Sequence, residues 1–446
     1  MNELDSRFLP PDDPLRRTLH NEVHARPSAR VRLPALITYV AVLNADIGRE
    51  QECAHLQRLP GHADLTLQQL QGNFLRLRCE GYTVKWERHT EFTRYSIVQP
   101  LPAHALWGSS LPELTPHVST GSDWLRGIPG QTVAAIQLAM LPEGMGEADM
   151  LAKAQRWLGE GIVVASHMGN TVQGQAHSCL LTHFRIGADG FERMLVLTQG
   201  ETPEGRAGRI SQRVLELETY RLMALRGLPV TKRLSPELAL AETQLAGIAA
   251  RLDAKQGSDQ ELLDDLVALA AKVERATAEH GYRFSATRAY DALVRERIAE
   301  LRERPVHGTQ TVGEFMQRRL GPAMATVAAT AQRLAALSER VVRTSALLRT
   351  RVDIATETQN QQLLAKLTRG QELQLRLQST VEGLSIAAIS YYVVSLLFYV
   401  AKALKQAGAP IEPELAVGLL IPLVLWGVWR TVQRIHARIH EGGRGQ

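Results

Sequence analysis

The stretch "GLSIAAISYYVVSLLFYVA", from Gly383 to Ala401, decides the fold class because its nineteen residues carry no charge. At ~1.5 Å per helical residue, a helix of this length spans roughly the ~30 Å hydrocarbon core of a bilayer. We therefore predict a transmembrane helix here, with the lipid bilayer as a partner of the chain.

A second apolar stretch, "LAVGLLIPLVLWGVW" from Leu415 to Trp429, follows a short connection that contains glycine and proline. Its fifteen residues and the internal Pro422 are also compatible with a re-entrant or buried core helix. We predict a second membrane span, with Trp426 and Trp429 at the membrane interface.

Charge near the two spans predicts their orientation. The tail after Trp429 carries four arginines against one glutamate, whereas the connecting loop balances two lysines against two glutamates. Because positive charge stays on the cytoplasmic side, we predict that both the N terminus and the C terminus are cytoplasmic. The N-terminal "MNELDSRFLPPDDPLRR" has no apolar region of a signal peptide. We thus predict that residues 383–446 form two transmembrane helices and a basic tail in the inner, cytoplasmic membrane.

Residues 233–382 predict a helical stalk in front of these spans. Ser235-Pro236, Ser258-x-x-Glu261 and Thr311-x-x-Glu314 are helix start signals. The segments "EHGYRFS" (279–285) and "RERPVHG" (302–308) interrupt the helical pattern. We predict three antiparallel helices of roughly 20 residues each, followed by one long helix.

The long helix is predicted to begin near Pro322 and to meet no further proline before Pro410. Apolar residues recur along it at spacings of three and four, as in a coiled-coil seam, which predicts a homo-oligomer. The seam turns polar at "TETQNQQ" (356–362), where Gln359 stands at an apolar position. This stretch is either a solvated segment packed against other helices or a layer that fixes register or oligomeric state. The seam comprises Leu334, Leu337, Val341, Leu348, Val352, Ala355, Leu363, Leu367, Leu377, Val381 and Leu384.

Residues 1–232 predict an α+β cytoplasmic domain with an internal repeat. "ALITYVAVLN" (35–44) and "VAAIQLAML" (133–141) each precede a helical segment and then strand-like segments. The pattern Phe-x-Arg-x-x-Ile/Val recurs around Arg94 and Arg193, 99 positions apart. We predict a duplicated βαββ unit, which gives a mixed or antiparallel sheet with helices on one face.

The N-terminal "LHNEVHARP" (19–27) holds the first candidate for chemistry. His20-x-Glu22-x-His24 places two imidazoles one turn apart on a predicted helix, and such a pair binds zinc when further ligands complete the site. His20, Glu22 and His24 are therefore the predicted metal-binding residues. The alternatives are a polar helix whose His and Glu residues make hydrogen bonds to the domain, and a surface that binds a protein partner.

A second candidate is a predicted strand that carries His177, Cys179 and His183. A transition-metal cluster and buried, hydrogen-bonded histidines are both compatible with it, and the second arrangement is commoner. The glycine patterns of phosphate-binding loops and of the hydrolase nucleophile elbow do not occur in the chain. We therefore predict no catalytic residue and no bound cofactor.

Composition restricts the class of protein further. The formal charge of +5 arises from 51 Lys and Arg residues against 46 Asp and Glu residues, without the basic block that would indicate a nucleic acid partner. The three cysteines, Cys53, Cys79 and Cys179, fit a reduced cytosolic domain better than a disulfide framework.

Several phrases together resemble a known family: "LHNEVHARP", "FSATRAYDALVRERIAELRE", "GEFMQRRLGPA", "LLRTRVDIATETQNQQLLAKL" and "LQLRLQSTVEGLSIAAISYYVVSLLFY". Over nearly its whole length the chain resembles the domain-of-unknown-function 3422 family of uncharacterised, membrane-anchored bacterial proteins. The resemblance implies a cytoplasmic domain anchored by C-terminal helices, and it implies no activity or substrate.

Three functions are compatible with these patterns. We expect a non-enzymatic, oligomeric scaffold or interaction protein with an unidentified protein partner. A two-span ion channel or transporter subunit is the first alternative, because the layout resembles CorA-type magnesium channels in outline, although their Gly-Met-Asn element is missing after the first span. The second alternative is a metal-dependent enzyme built around the N-terminal histidines.

Overall fold

The computed structural model of the chain describes residues 13–22, 28–107, 110–143, 146–169, 176–408, 410 and 412–442. Its strands are β1 (Ala35–Leu43), β2 (Phe74–Cys79), β3 (Tyr82–Arg88), β4 (Phe92–Pro100), β5 (Gln131–Leu141), β6 (Val164–Met168), β7 (Ser178–Ile186), β8 (Glu192–Thr198) and β9 (Arg304–Pro305). Its helices are α1 (Arg16–Glu22), α2 (Arg49–Leu56), α3 (Ser122–Arg126), α4 (Glu147–Leu158), α5 (Glu204–Leu225), α6 (Gly227–Asp253), α7 (Asp259–Leu301), α8 (Val312–Arg319), α9 (Gly321–Gln406) and α10 (Pro413–Gly442).

The described strands form one sheet in the order β2-β3-β4-β1-β5-β8-β7-β6-β9. Strands β5 and β8 run parallel, and the other neighbouring strands run antiparallel. The mixed sheet followed by long helices confirms this part of the sequence prediction.

Helices cover both faces of the sheet, so the prediction that they lie on one face is wrong. Successive strand residues point to opposite faces. On one face, Leu36 of β1 belongs to the same apolar cluster as Trp157 of α4. On the other face, the hydroxyl of Tyr39 lies 2.7 Å from Thr219 Oγ1 of α5. The near-continuous apolar run of β1 is typical of a strand that is covered on both sides.

The two halves of the sheet share the order of their elements but not the direction of their strands. Each half has a strand, a helix and three further strands, one strand more than the predicted βαββ unit, because the segments 74–100 and 164–198 each contribute three strands. Strand β1 is antiparallel to β4, whereas β5 is parallel to β8. The two arginines of the repeat therefore face opposite sides of the sheet. Arg94 contacts Glu216 of α5. In β8 it is Glu192 that lies beside α5, so the adjacent Arg193 points away from that helix.

The stalk helices are longer than the sequence predicts. Helix α6 begins at Gly227 instead of Ser235, and Pro236 lies inside it. Helix α7 continues through 279–285, because Arg283 pairs with Glu91 at 2.8 Å and Phe284 is buried. The predicted three helices of similar length are therefore wrong. The predicted interruption at 302–308 is confirmed, since α7 ends at Leu301 and β9 follows.

Two predicted helix starts and the long helix are confirmed. The Ser258 side chain accepts a hydrogen bond from the backbone N–H of Gln260 at 3.2 Å. Thr311 and Glu314 form a reciprocal capping box at the start of α8. Helix α9 is continuous from Gly321 to Gln406, as the proline-free stretch predicts.

The chain divides into two compact units, the first ending at Thr344 and the second beginning at Ser345. The domain boundaries drawn from the sequence at 232/233 and 382/383 remain predictions. In the described chain, α9 and α10 are long and apolar enough to cross a membrane. Their apolar segments present exposed side chains, among them Leu384 and Leu419.

Candidate functional site

The predicted metal residues lie at the edge of the described chain. His20 is an exposed residue of α1, which ends at Glu22. His24 lies outside the described residues, so the metal site at His20, Glu22 and His24 remains a prediction. Elsewhere in the described ranges, no group of three or more His, Cys, Asp or Glu side chains is placed to hold a metal ion.

The second histidine candidate has the geometry of hydrogen-bonded structural residues. His177 Nδ1 lies 2.8 Å from Ser178 Oγ, and His183 Nε2 lies 3.0 Å from the Leu158 carbonyl oxygen. Cys179 belongs to the apolar core between the sheet and α4. Burial lowers the pKa of both histidines, which keeps them neutral. Of the two alternatives for this strand, the buried, hydrogen-bonded one fits the structure.

The largest concentration of buried charge lies between the sheet and helices α5 and α7. Lys85 and Glu87 of β3 form an ion pair at 3.1 Å, and Arg94 of β4 contacts the same Glu87 carboxylate. Arg94 Nη1 also lies 3.2 Å from Glu216 Oε1 of α5, while Arg297 Nε of α7 lies 2.8 Å from Glu216 Oε2. These five side chains, named the buried charge network, connect two strands and two helices.

The network keeps its carboxylates ionised. Burial alone would raise the pKa of Glu87, but Arg94 and Lys85 overcome this effect and hold it at about 2. Burial would likewise raise the pKa of Glu216, yet Arg94 and Arg297 lower it. Burial lowers the pKa of Lys85 despite its contact with Glu87. A buried ion pair needs such multiple partners, because desolvation offsets most of the attraction within a single pair.

The space beside this network is too small for a substrate. A cavity of about 20 Å³ borders Lys85, Glu87 and Arg94 below helix α5. That volume holds roughly one water molecule. The buried charge network therefore fixes the position of α5 and α7 on the sheet, and its charged groups face each other instead of an open cleft.

A pair of buried glutamates, separate from the buried charge network, lies on the same face of the sheet. Glu192 of β8 and Glu218 of α5 are both buried, and Arg221 pairs with Glu218. Burial and then the neighbouring Glu218 raise the pKa of Glu192 well above its ordinary value. Glu192 therefore holds a proton at neutral pH, as expected for a buried carboxyl group that lies beside a second carboxyl group.

An open groove of about 670 Å³ lies beside the β7–β8 hairpin. This volume is within the roughly 300–1,000 Å³ of ligand-binding clefts. Its rim includes Leu111 and Ile186, both exposed, and its floor includes Thr115, Asp189 and Arg193.

The floor of the groove is held by its own hydrogen bonds. Thr115 Oγ1 donates to Asp189 Oδ2 at 3.1 Å, and Arg193 Nη2 donates to the same oxygen at 3.3 Å. Arg193 Nη1 donates to the Pro112 carbonyl at 2.8 Å. Glu113, Glu160 and Arg185 also line the groove. A mixed rim around polar groups that are already hydrogen-bonded suits a binding surface, because these groups are oriented before a partner arrives.

Helix α9 exposes a row of apolar side chains before its membrane-length segment. Its seam is buried at Leu334, Leu337 and Val341, where the first compact unit covers it. Further along, Leu348 is still buried, whereas four later seam positions are exposed by 52% to 67%. These exposed positions, named the uncovered seam, are Leu363, Leu367, Leu377 and Val381.

Sequence reasoning missed the buried charge network and both glutamates of the acidic pair. One local signal is present: Lys85 and Glu87 are two apart in a strand-like stretch, so they share one face, and the apolar Val84 and Trp86, which alternate with them, point to the other face. Glu216 and Arg297 are far away in sequence and give no such signal. In the sequence, Arg94 stands out only as part of the repeated Phe-x-Arg-x-x-Ile/Val pattern.

Comparisons with known proteins give one match. Over residues 11–439, the chain matches a family model described as "Protein of unknown function (DUF3422)". The match confirms the family that the sequence phrases resemble. Neither the curated proteins nor the solved structures compared with the chain include a match.

Proposed function

The chain belongs to the DUF3422 family, and on this premise we propose that it is a membrane-anchored, non-enzymatic scaffold protein that self-associates through helix α9. The observation that carries the proposal is the uncovered seam, which continues the buried seam of the same helix and leads into an apolar segment of membrane-spanning length. The first compact unit, with its groove beside the β7–β8 hairpin, supplies the surface on which we expect a protein partner.

Membrane anchoring in a fixed orientation is the first part of the proposal. We infer a multi-pass protein of the inner membrane with both termini in the cytoplasm. The support is the asymmetry of charge: four arginines and one glutamate follow Trp429, whereas two lysines and two glutamates balance between the helices. Both helices also expose apolar side chains, as helices surrounded by lipid do, and this supports their insertion into a bilayer.

Self-association is the second part. Burying a leucine side chain contributes about 1.5–3 kcal/mol, so four exposed seam positions per helix provide a substantial driving force. Anchoring in one membrane with one orientation makes the helices parallel and raises their effective concentration. A parallel coiled coil is the arrangement in which apolar positions spaced by three and four residues meet their equivalents.

The polar stretch 356–362 has a role in this assembly. Gln359 interrupts the seam between its buried and uncovered parts, and its exposed amide is both a donor and an acceptor. Two glutamines in register can therefore satisfy each other, whereas a shifted pair places an amide against leucine. We propose that this layer sets the register of the parallel helices.

A duplicated origin of the two sheet halves is a further proposal. Their common order of elements and the central, adjacent placement of β1 and β5 support it. The opposite pairing direction of the first strand requires that one half changed its strand pairing after duplication.

Cysteine cross-linking in membranes tests self-association. Leu367→Cys places a thiol in the uncovered seam, and mild oxidation is expected to join two full-length chains through a disulfide bond. Arg369→Cys is the matched control, because two residues further along the helix, about 200° around the axis, its thiol faces away from the seam. Wild-type protein gives the background from Cys53, Cys79 and Cys179, two of which are buried.

Equal cross-linking of the two variants, or none for Leu367→Cys, would contradict assembly through this seam. Extraction of the wild-type protein by alkaline carbonate without detergent would contradict membrane anchoring separately.

A further inference from the structure

Helix α10 continues beyond its apolar segment and carries its basic residues in a stripe. The helix extends to Gly442, thirteen residues past Trp429. Trp426, Arg430 and Arg434 follow at intervals of four, so each lies roughly 40° from the last around the axis. Arg430 and Arg434, together with Trp426 at the start of the row, are named the arginine stripe. The sequence adds Arg438 at the next interval of four.

The arginine side chains of the stripe are exposed. The Arg430 guanidinium carbon lies 4.9 Å from the centre of the Trp426 ring, which is a cation–π contact. This contact directs the guanidinium back along the helix towards the apolar segment. Arg430 and Arg434 are both exposed, and neither forms an ion pair with a described residue.

The depth of the stripe matches the headgroup layer of a bilayer. Tryptophan rings collect at the boundary between hydrocarbon and headgroups, so Trp426 fixes the level of Arg430. The Arg430 guanidinium lies beside the Trp426 ring, the four residues from Arg430 to Arg434 add about 6 Å, and the headgroup region on one side is about 5–8 Å thick. Arg430 and Arg434 therefore both fall within the layer that contains lipid phosphates.

We propose that the arginine stripe binds the headgroups of anionic phospholipids and enriches them around the C-terminal half of α10. The inference rests on the proposed membrane anchoring. Guanidinium groups form paired, charge-assisted hydrogen bonds with phosphate oxygens, and each arginine near an anionic surface strengthens lipid binding by about fivefold. The connection between the apolar segments of α9 and α10 has no equivalent excess, because Lys402 and Lys405 are balanced by Glu412 and Glu414.

Quenching by brominated lipids measures this enrichment in the full-length protein. The protein is reconstituted into phosphatidylcholine vesicles that contain the same mole fraction of either brominated phosphatidylglycerol or brominated phosphatidylcholine. Bromine quenches only the tryptophans that it contacts, and Trp426 and Trp429 are those in the span. The other four lie in the first compact unit and give a constant background. Each variant is normalised to vesicles without bromine.

The wild-type protein is expected to be quenched more by the brominated phosphatidylglycerol. Arg430→Gln with Arg434→Gln should remove this excess, and Arg434→Gln alone, which keeps the Arg430–Trp426 contact, should reduce it by about fivefold in apparent affinity. Lys402→Gln with Lys405→Gln is the matched control. This double variant removes the same charge from the end of α9, and it should keep the excess quenching by brominated phosphatidylglycerol.

Several outcomes would overturn the inference. Equal quenching of the wild type by the two lipids means that the helix is inserted without selecting anionic lipid. An excess that persists without Arg430 and Arg434, or that disappears without the two lysines, excludes the arginine stripe as its cause. Loss of the excess in millimolar inorganic phosphate identifies a site for free phosphate instead of lipid. Absence of quenching by both lipids contradicts membrane anchoring itself.

Discussion

Glu87 and Glu192 are buried to similar extents, yet their neighbours give them opposite protonation. Glu87 has two cationic partners, Arg94 and Lys85, and its pKa falls to about 2. Glu192 lies beside another carboxyl group, and burial together with Glu218 raises its pKa. The same substitution, glutamate to glutamine, should therefore have opposite effects at the two positions.

Glu87→Gln is expected to lower the free energy of unfolding at pH 7 by about 3–5 kcal/mol, because Arg94 and Lys85 then lose their shared buried counterion. In wild-type protein the folded pKa of about 2 lies below the ordinary value of 4.5, so the stabilisation is present above pH 4.5 and is lost as the pH falls towards 2. The difference between variant and wild type should narrow over that range, as measured by denaturant unfolding in detergent.

The exposed Glu80→Gln is the control for this experiment, and it should change the free energy of unfolding by less than about 0.5 kcal/mol. A difference between Glu87→Gln and wild type that stays constant from pH 7 to pH 2 contradicts the assigned charge of Glu87.

Glu192→Gln is expected to preserve or raise the thermal unfolding midpoint at neutral pH. The unfolded chain releases the Glu192 proton above the ordinary pKa of 4.5, whereas the folded protein retains it. The free energy of unfolding of wild type therefore decreases as the pH rises above 4.5. Glutamine has no proton to lose, so the midpoint of the variant should rise relative to wild type as the pH increases. A midpoint that falls at pH 7 would show that Glu192 is ionised in the folded protein.

At the scale of elements, tertiary contacts overrode one local signal. The segment 279–285, which contains Gly281, favours a helix break by composition, but α7 passes through it. Arg283 pairs with Glu91 in the turn between β3 and β4, and Phe284 is buried. Start signals were reliable where the cap itself forms, at Ser258 and Thr311. Propensity is local, whereas the contacts that keep α7 continuous connect residues nearly 200 positions apart.

Gly281→Ala tests the continuity of α7. No atom lies within 4 Å of the position that an added Cβ would occupy, and alanine favours a helix interior over glycine by about 0.8–1 kcal/mol. The variant should raise the free energy of unfolding by roughly this amount, measured by denaturant unfolding.

Gly257→Ala is the matched control, since Gly257 has φ of +83° between α6 and α7. A side chain in that conformation costs about 1–2 kcal/mol, so this variant should be destabilised. Destabilisation by Gly281→Ala as well would mean that the helix is broken at 281.

At the scale of the whole molecule, the sequence predicted what depends on runs of residues: the two apolar helices, the 86-residue α9 and the mixed sheet. It did not predict that helices cover both faces of the sheet. The buried charge network was also beyond it, because Glu87, Glu216 and Arg297 come together only through the packing of α5 and α7. The metal prediction at His20, Glu22 and His24 stands untested by the described residues.

The mass of the purified protein in detergent, measured by light scattering with the detergent contribution subtracted, is the most direct test of self-association through α9. Self-association through α9 predicts a protein mass of twice 49.3 kDa or a higher whole multiple. The assembly should persist on dilution to micromolar concentration, because several leucines per helix are buried in it. A protein mass of 49.3 kDa at every concentration would contradict self-association through α9.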